Sequence, residues 1–117
     1  DVIQANLFFF NHPEKSGIFN VGTGRAQSFN DVALAVINAC REIDGEPRLS
    51  LEDACRDGLL SYFPMPEALQ GKYQSFTEAN IDRLKAAGFS NACYDVEKGV
   101  DRYASGLYSA LKREAQE

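Results

Sequence analysis

The sequence predicts an α/β fold, because segments with helical periodicity alternate with short apolar segments of strand character. Residues 17–22 (GIFNVG) and 60–63 (LSYF) are aliphatic or aromatic and are bounded by glycine or proline, as buried strands are. The predicted order is helix, strand, helix, strand, helix, helix. Two strands are too few for an independent doubly wound sheet, so we expect a piece of an α/β protein.

Four helices are expected, and each has a suitable N-cap residue: Asp1, Ser28, Thr77 and Asp95. Three of them are followed by a residue that stops a helix: Pro13, Gly45 and Gly88. The helix after Ser28 keeps its apolar residues on one face for three turns, and is therefore the most strongly predicted. Residues 49–59 fit either a short acidic helix or an insertion loop.

Composition and charge narrow the classes of protein that this sequence can encode. The 117 residues are 44% hydrophobic and 25% charged, with a formal net charge of −5, which argues against a nucleic-acid partner. The apolar stretch 2–10 is too short to span a bilayer, and no basic region precedes it. Three separated cysteines favour a reducing compartment. We therefore expect a cytoplasmic protein without a membrane partner.

A metal site is not expected from the residue types present. The chain has one histidine, His12, and no closely spaced cysteine pair, so a Cys/His zinc site cannot form at the usual spacings. The acidic run 46–57 lacks the ligand spacing of a calcium loop, and reads as a solvated face.

A glycine-containing turn, Gly22-Thr23-Gly24-Arg25, follows the first predicted strand and precedes a predicted helix. A dinucleotide fingerprint needs a third glycine three residues further on, and Gln27 occupies that position. Two interpretations remain open. One is a tight strand-to-helix turn, and the other is a loop that lines a ligand cleft, with Arg25 as an anion partner.

Two Tyr-x-x-x-Lys pairs occur, Tyr94/Lys98 and Tyr108/Lys112. In short-chain reductases such a pair is catalytic because the lysine lowers the pKa of the tyrosine. Here both pairs lie in or beside the last predicted helix, with no cofactor motif upstream. We therefore expect structural roles for both pairs and no catalytic residue in this chain.

A second cluster, Lys72, Tyr73 and Gln74, follows Gly71 in an irregular stretch before the predicted helix at Thr77. Lys72 and the helix dipole can bind a nucleotide diphosphate, while Tyr73 stacks or donates a hydrogen bond. The alternative is a surface loop with a solvated lysine and a packed tyrosine. The chemistry of these residues does not separate the two interpretations.

Two runs, GIFNVGTGR at 17–25 with Ser28-Phe29 after it and PMPEALQGKYQSFT at 64–77, resemble the ADP-L-glycero-D-manno-heptose 6-epimerase family of extended short-chain dehydrogenases/reductases. The first run recurs across the superfamily, whereas the second, with LKAAGF at 84–89, is much narrower. The similarity covers essentially the whole chain and corresponds to roughly the last third of such an enzyme. In the family, the tyrosine of the Gly-Lys/Arg-Tyr-Gln motif contacts the substrate, and it maps onto Tyr73.

The resemblance implies a Rossmann-type enzyme, of which residues 1–117 are a single carboxy-terminal substrate-binding domain. It also implies an ADP-heptose substrate inverted at C6″ in lipopolysaccharide core synthesis, NADP held by an amino-terminal Rossmann domain outside this chain, and a homo-oligomer. The expected substrate-binding residues are Arg25, Lys72, Tyr73 and Gln74. No residue here is expected to bind the cofactor, and the chain alone is expected to be inactive.

Two alternatives stay open: another extended reductase, such as a hexose epimerase or dehydratase, and a non-catalytic module that binds nucleotide sugars. The stand-alone module and the epimerase fragment predict different burial of the apolar helix faces. A stand-alone module covers those faces, whereas a fragment leaves residues 8–10 or the face of the Ser28 helix exposed.

Overall fold

A computed structural model describes residues 1–115. Within these residues there are five α-helices: α1 (Val2–Asn11), α2 (Phe29–Ile43), α3 (Leu51–Arg56), α4 (Asp82–Ala86) and α5 (Val96–Glu114). A short 3₁₀ helix covers Glu67–Leu69. Half of the chain is helical, and no residue from 1 to 115 belongs to a β-strand.

The α/β fold expected from the sequence is therefore wrong, and so is the Rossmann-type architecture. A strand is stabilised by hydrogen bonds to a neighbouring strand, and within residues 1–115 neither 17–22 nor 60–63 has such a neighbour. Leu60 instead donates its N–H to the Ala54 carbonyl of α3, at 3.1 Å. Ile18 and Phe63 are 83% and 81% exposed, so their strand-like side chains do not reach an interior.

The described chain consists of two compact units, each made of two stretches of sequence. The first unit contains Asp1–Ala26 and Gln74–Tyr94, and the second contains Gln27–Tyr73 and the chain from Asp95 onward. The expectation of a single domain over residues 1–117 stays a prediction.

In the first unit, α1 packs on the segment that contains α4. The buried core is Ala5, Leu84 and Phe89, and three phenylalanines pack against it: Phe8, Phe9 and Phe19. Phe8 meets Phe89 edge to face with ring centroids 5.4 Å apart, a favourable aromatic geometry. Phe8 and Phe9 of α1 therefore extend the core of this unit.

In the second unit, α2 packs along α5, and α3 packs against α2. Small buried residues, among them Ala35, Ala39 and Ala54, let the helix backbones approach closely. Asn38 is buried on α2, and its side-chain amide bonds both the C=O and the N–H of Leu49, at 3.0 and 2.8 Å. This pair of bonds satisfies the buried amide and fixes the connection from α2 to α3.

Two of the predicted N-caps are confirmed by their hydrogen bonds. The Ser28 hydroxyl accepts from the Asp31 N–H, and the Asp31 carboxylate accepts from the Ser28 N–H, which is a complete capping box. Asp95 accepts from the Lys98 N–H at the start of α5. Asp1 is at the N-cap of α1, but its carboxylate accepts from the Tyr94 N–H instead of capping the helix.

The predicted helix after Thr77 is wrong at its start, because α4 begins only at Asp82. Hydrogen bonds from the 20–26 segment hold residues 78–80 in an irregular conformation: the Ala26 N–H donates to the Glu78 carboxylate, and the Asn20 amide donates to the Asn80 carbonyl. These tertiary contacts outweigh the local preference for a cap at Thr77.

The helix ends behave more nearly as the sequence predicts. Gly45 and Gly88 adopt left-handed backbone with φ of +75° and +93°, each one position beyond the C-cap residue of α2 or α4, and they end these helices as expected. The ambiguous stretch 49–59 contains α3, so its helical interpretation is the right one. None of the helices within residues 1–115 has the length and apolar character needed to cross a membrane.

Candidate functional site

The four residues expected to bind substrate are divided between the two units. Arg25 and Gln74 belong to the first, whereas Lys72 and Tyr73 belong to the second. Lys72 and Tyr73 are consecutive in the sequence, and the contact that the fold adds is that of Tyr73 with Phe29, a residue that no sequence pattern assigned to the site.

The Tyr73 ring lies beside the ring of Phe29, the first residue of α2. Their centroids are 6.3 Å apart and the ring planes are inclined at 47°. Tyr73 is 51% exposed and Phe29 is 74% exposed, so the two rings form an open aromatic surface. Lys72, the residue before Tyr73 in the sequence, is exposed, and its ammonium makes no ion pair with any residue of the described chain.

The backbone of residues 67–72 presents these side chains. The 3₁₀ helix Glu67–Leu69 ends in a turn, in which the Lys72 N–H donates to the Leu69 carbonyl at 3.1 Å. Gly71 has φ of +69°, a left-handed conformation that residues with a Cβ rarely adopt. The glycine of the motif is thus required by the turn that carries Lys72 and Tyr73.

The helix-dipole part of the diphosphate hypothesis fails at this turn. The predicted helix N-terminus at Thr77 does not form, and α4 has only five residues. Gln74 is engaged locally, since its side-chain amide donates to the Phe76 carbonyl at 3.1 Å. A ligand at this loop can therefore contact the exposed side chains of Lys72, Tyr73 and Phe29, and substrate binding by Arg25 and Gln74 stays a prediction.

In the first unit, the Gly22-Thr23-Gly24 turn packs closely on residues 79–81. A Cβ at Gly22 would lie 3.0 Å from the Cβ of Ala79, and one at Gly24 would lie 2.9 Å from a methyl carbon of Ile81. The Thr23 hydroxyl bonds both the N–H and the C=O of Arg25, at 3.1 and 3.0 Å. This is a tight turn, although no strand precedes it, and the Arg25 side chain is exposed.

The same turn lines a cleft of about 400 Å³ within this unit. Gly22 and Thr23 are on one wall, and Lys85, Ser90 and Cys93 are among the polar residues around it. The second interpretation of the turn, a loop that lines a ligand cleft, is therefore compatible with the structure. Arg25 is not among the residues that line the cleft.

The turn at residues 22–24 does not fit the pyrophosphate of a dinucleotide such as NADP. The glycine-containing turn has no strand before it, and Gln27 occupies the place of the third glycine. In addition, the Cβ clearances at Gly22 and Gly24 are taken up by Ala79 and Ile81, so these glycines make room for protein and not for a pyrophosphate.

The pair Tyr108/Lys112 holds two helices together. The Tyr108 hydroxyl donates to Asp44 at 2.9 Å, and the Lys112 ammonium also donates to Asp44, the residue after α2. The hydrogen bond to Asp44 raises the pKa of Tyr108, whereas a tyrosine acting as a base needs a lowered pKa. These contacts are those of a clamp between α2 and α5. In the other pair, Tyr94 and Lys98 belong to different units.

A comparison of the chain with models of known protein families finds no match. No group of three or more histidine, cysteine or acidic side chains within residues 1–115 is arranged to hold a metal ion. The candidate site therefore contains no metal centre among the described residues. It consists of the exposed residues Phe29, Lys72 and Tyr73, hereafter the aromatic–lysine surface.

Proposed function

We propose that this chain forms the substrate-binding part of an ADP-L-glycero-D-manno-heptose 6-epimerase, an isomerase that interconverts the two ADP-heptoses at C6″ for lipopolysaccharide core synthesis. The observation that carries the proposal is the aromatic–lysine surface, in which the tyrosine of the Gly-Lys-Tyr-Gln motif lies open beside Phe29. The resemblance of residues 64–77 to that family supplies the identity of the substrate.

The chemistry of this surface suits a nucleotide sugar. Exposed aromatic rings offer a face on which adenine can stack, and the Tyr73 hydroxyl can donate to a phosphate or sugar oxygen. Lys72, the residue before Tyr73, carries a flexible cation, which is suited to bind a diphosphate as a point charge. A nucleotide sugar, which contains both an aromatic base and a diphosphate, can therefore bind to Tyr73 and Lys72 together.

In this proposal the chain binds and orients substrate but performs no chemistry by itself. NADP would supply the transient oxidation and the return of the hydride, and residues outside this chain would bind it. The active enzyme is a cytoplasmic homo-oligomer. The chain alone is expected to show no epimerase activity.

The test is a titration of the 117-residue chain with ADP-mannose, followed by two-dimensional amide NMR. We expect Tyr73→Ala to weaken binding about tenfold, as for loss of one stacked aromatic, and Lys72→Gln to weaken it about three- to tenfold. Tyr103→Ala is the matched control, because Tyr103 is an exposed tyrosine of α5 far along the sequence from the motif.

Two results would contradict the proposal. One is an affinity for ADP-mannose that is the same in the Tyr73→Ala and Tyr103→Ala variants. The other is equal binding of ADP-mannose and UDP-glucose, which would favour a hexose epimerase or a general nucleotide-sugar module. Because the titration reads binding alone, neither result depends on activity.

A further inference from the structure

We propose that the 400 Å³ cleft of the first unit is a second binding site, and that it takes a small organic carboxylate with an apolar body. Its volume is within the usual range of small-molecule sites, about 300–1,000 Å³. Four of its lining residues are apolar: Ile81, Leu84, Phe89 and Ala92. Leu84 and Phe89 are buried core residues, so part of the lining of the cleft is buried apolar surface.

The charge of the cleft favours an anion. Lys85 is its one charged lining residue, and no carboxylate lines it, although the whole chain carries a net charge of −5. Within residues 1–115 the Lys85 ammonium has no ion-pair partner. By contrast, a neighbouring cleft that shares Lys85 contains Glu78 and Asp82, which would repel an anion.

The number of available donors favours a carboxylate over a phosphate ester. The Thr23 hydroxyl is bonded to the backbone of Arg25, and the Asn91 amide donates to Gln4 at 3.2 Å. Lys85, the Ser90 hydroxyl and the second N–H of the Asn91 amide then remain as side-chain donors around the cleft. A carboxylate carries one negative charge, which the single lysine of the lining matches, whereas a phosphate ester carries up to two charges and has more oxygens that need donors.

This site is separate from the aromatic–lysine surface, because all residues that line it belong to the first unit. The inference therefore does not rest on the proposed function. Cys93 also lines the cleft and can report its occupancy, while Cys40 and Cys55 belong to the second unit and serve as internal controls.

The experiment measures how fast each cysteine of the 117-residue chain reacts with iodoacetamide, by peptide mass spectrometry, in the presence of phenylacetate. We expect saturating phenylacetate to slow the alkylation of Cys93 about threefold or more, with Cys40 and Cys55 unchanged. Phenylacetamide, which has the same shape without the charge, should protect less. Lys85→Gln should weaken the phenylacetate affinity about three- to tenfold. Arg113→Gln, with the same change of charge on α5, should leave it unchanged.

Equal protection of Cys93 by phenylacetamide would overturn the assignment of an anion. Equal protection of all three cysteines, or equal effects of Lys85→Gln and Arg113→Gln, would overturn the site itself. The comparison of phenylacetate with phenylacetamide uses the unsubstituted chain, so the proposal is tested even where a variant folds poorly.

Discussion

Asp44 lies directly after α2 and accepts hydrogen bonds from two side chains of α5, Lys112 and Tyr108. The hydrogen bond from Lys112, and then that from Tyr108, lower the pKa of Asp44 below its usual range. A carboxylate whose pKa is lower in the folded than in the unfolded chain stabilises the fold above its unfolded pKa, and that stability is lost as the pH falls through its folded pKa.

Asp44→Asn should therefore reduce the free energy of unfolding at pH 7, and the difference from the unsubstituted chain should shrink as the pH falls from about 5 toward 2. Urea unfolding followed by circular dichroism at pH 7, 4 and 2.5 measures this. Glu52→Gln, at an exposed position of α3, is the control and should change stability little at any pH. A difference between Asp44→Asn and the unsubstituted chain that is constant with pH would contradict the assigned clamp.

At the scale of elements, the capping box of α2 is the clearest case in which a local pattern determines structure. Ser28 and Asp31 satisfy each other's backbone N–H groups, and the longest packed helix pair of the second unit begins there. Ser28→Ala removes the hydroxyl and should reduce the free energy of unfolding by about 1 kcal/mol. Chemical denaturation measures the loss, and Ser16→Ala, in an exposed irregular segment, should have no comparable effect.

Sequence reasoning succeeded where the determining interactions are local. The caps Ser28 and Asp95 and the glycine stops were predictable because each acts within four residues of its own position. The strands failed for the opposite reason: a strand depends on a partner from elsewhere in the chain, and the described chain supplies none to residues 17–22 or 60–63. The start of α4 failed because contacts from residues 20–26 act on 78–80.

In the candidate site too, the residues of a local motif were predictable from the sequence, and those brought together by tertiary packing were not. Lys72 and Tyr73 were predictable from a short motif, and the left-handed Gly71 explains its glycine. That Phe29 lies beside Tyr73 depends on tertiary packing, so no sequence pattern indicated it. Lys85 and Cys93 are eight residues apart, and nothing in their spacing predicts a shared cleft.

At the scale of the whole molecule, large apolar side chains remain exposed in both units. On α5 they form a stripe at every fourth residue: Tyr103, Leu107 and Leu111. Phe10 of α1 and Phe29 of α2 are also exposed, whereas Phe8 and Phe9 are half-buried in the first core. Exposed apolar surface of this kind promotes association. The homo-oligomer stays a prediction.

We expect the chain to associate with increasing concentration in sedimentation velocity experiments, and Leu107→Glu to weaken that association by placing a charge in the middle of the stripe. Asn6→Glu adds the same charge at an exposed polar position of α1, and should leave association nearly unchanged. If both variants weaken association equally, net charge and not the α5 stripe is responsible.

The division of each unit into two stretches of sequence constrains how the chain is made and cut. The polypeptide passes from one unit to the other after Ala26, after Tyr73 and after Tyr94. During synthesis on the ribosome, the first 26 residues must wait for most of the second unit to emerge before their packing partner exists. For the same reason no single proteolytic cut releases either unit whole, and a gene encoding one unit alone requires its two stretches to be joined by a new linker.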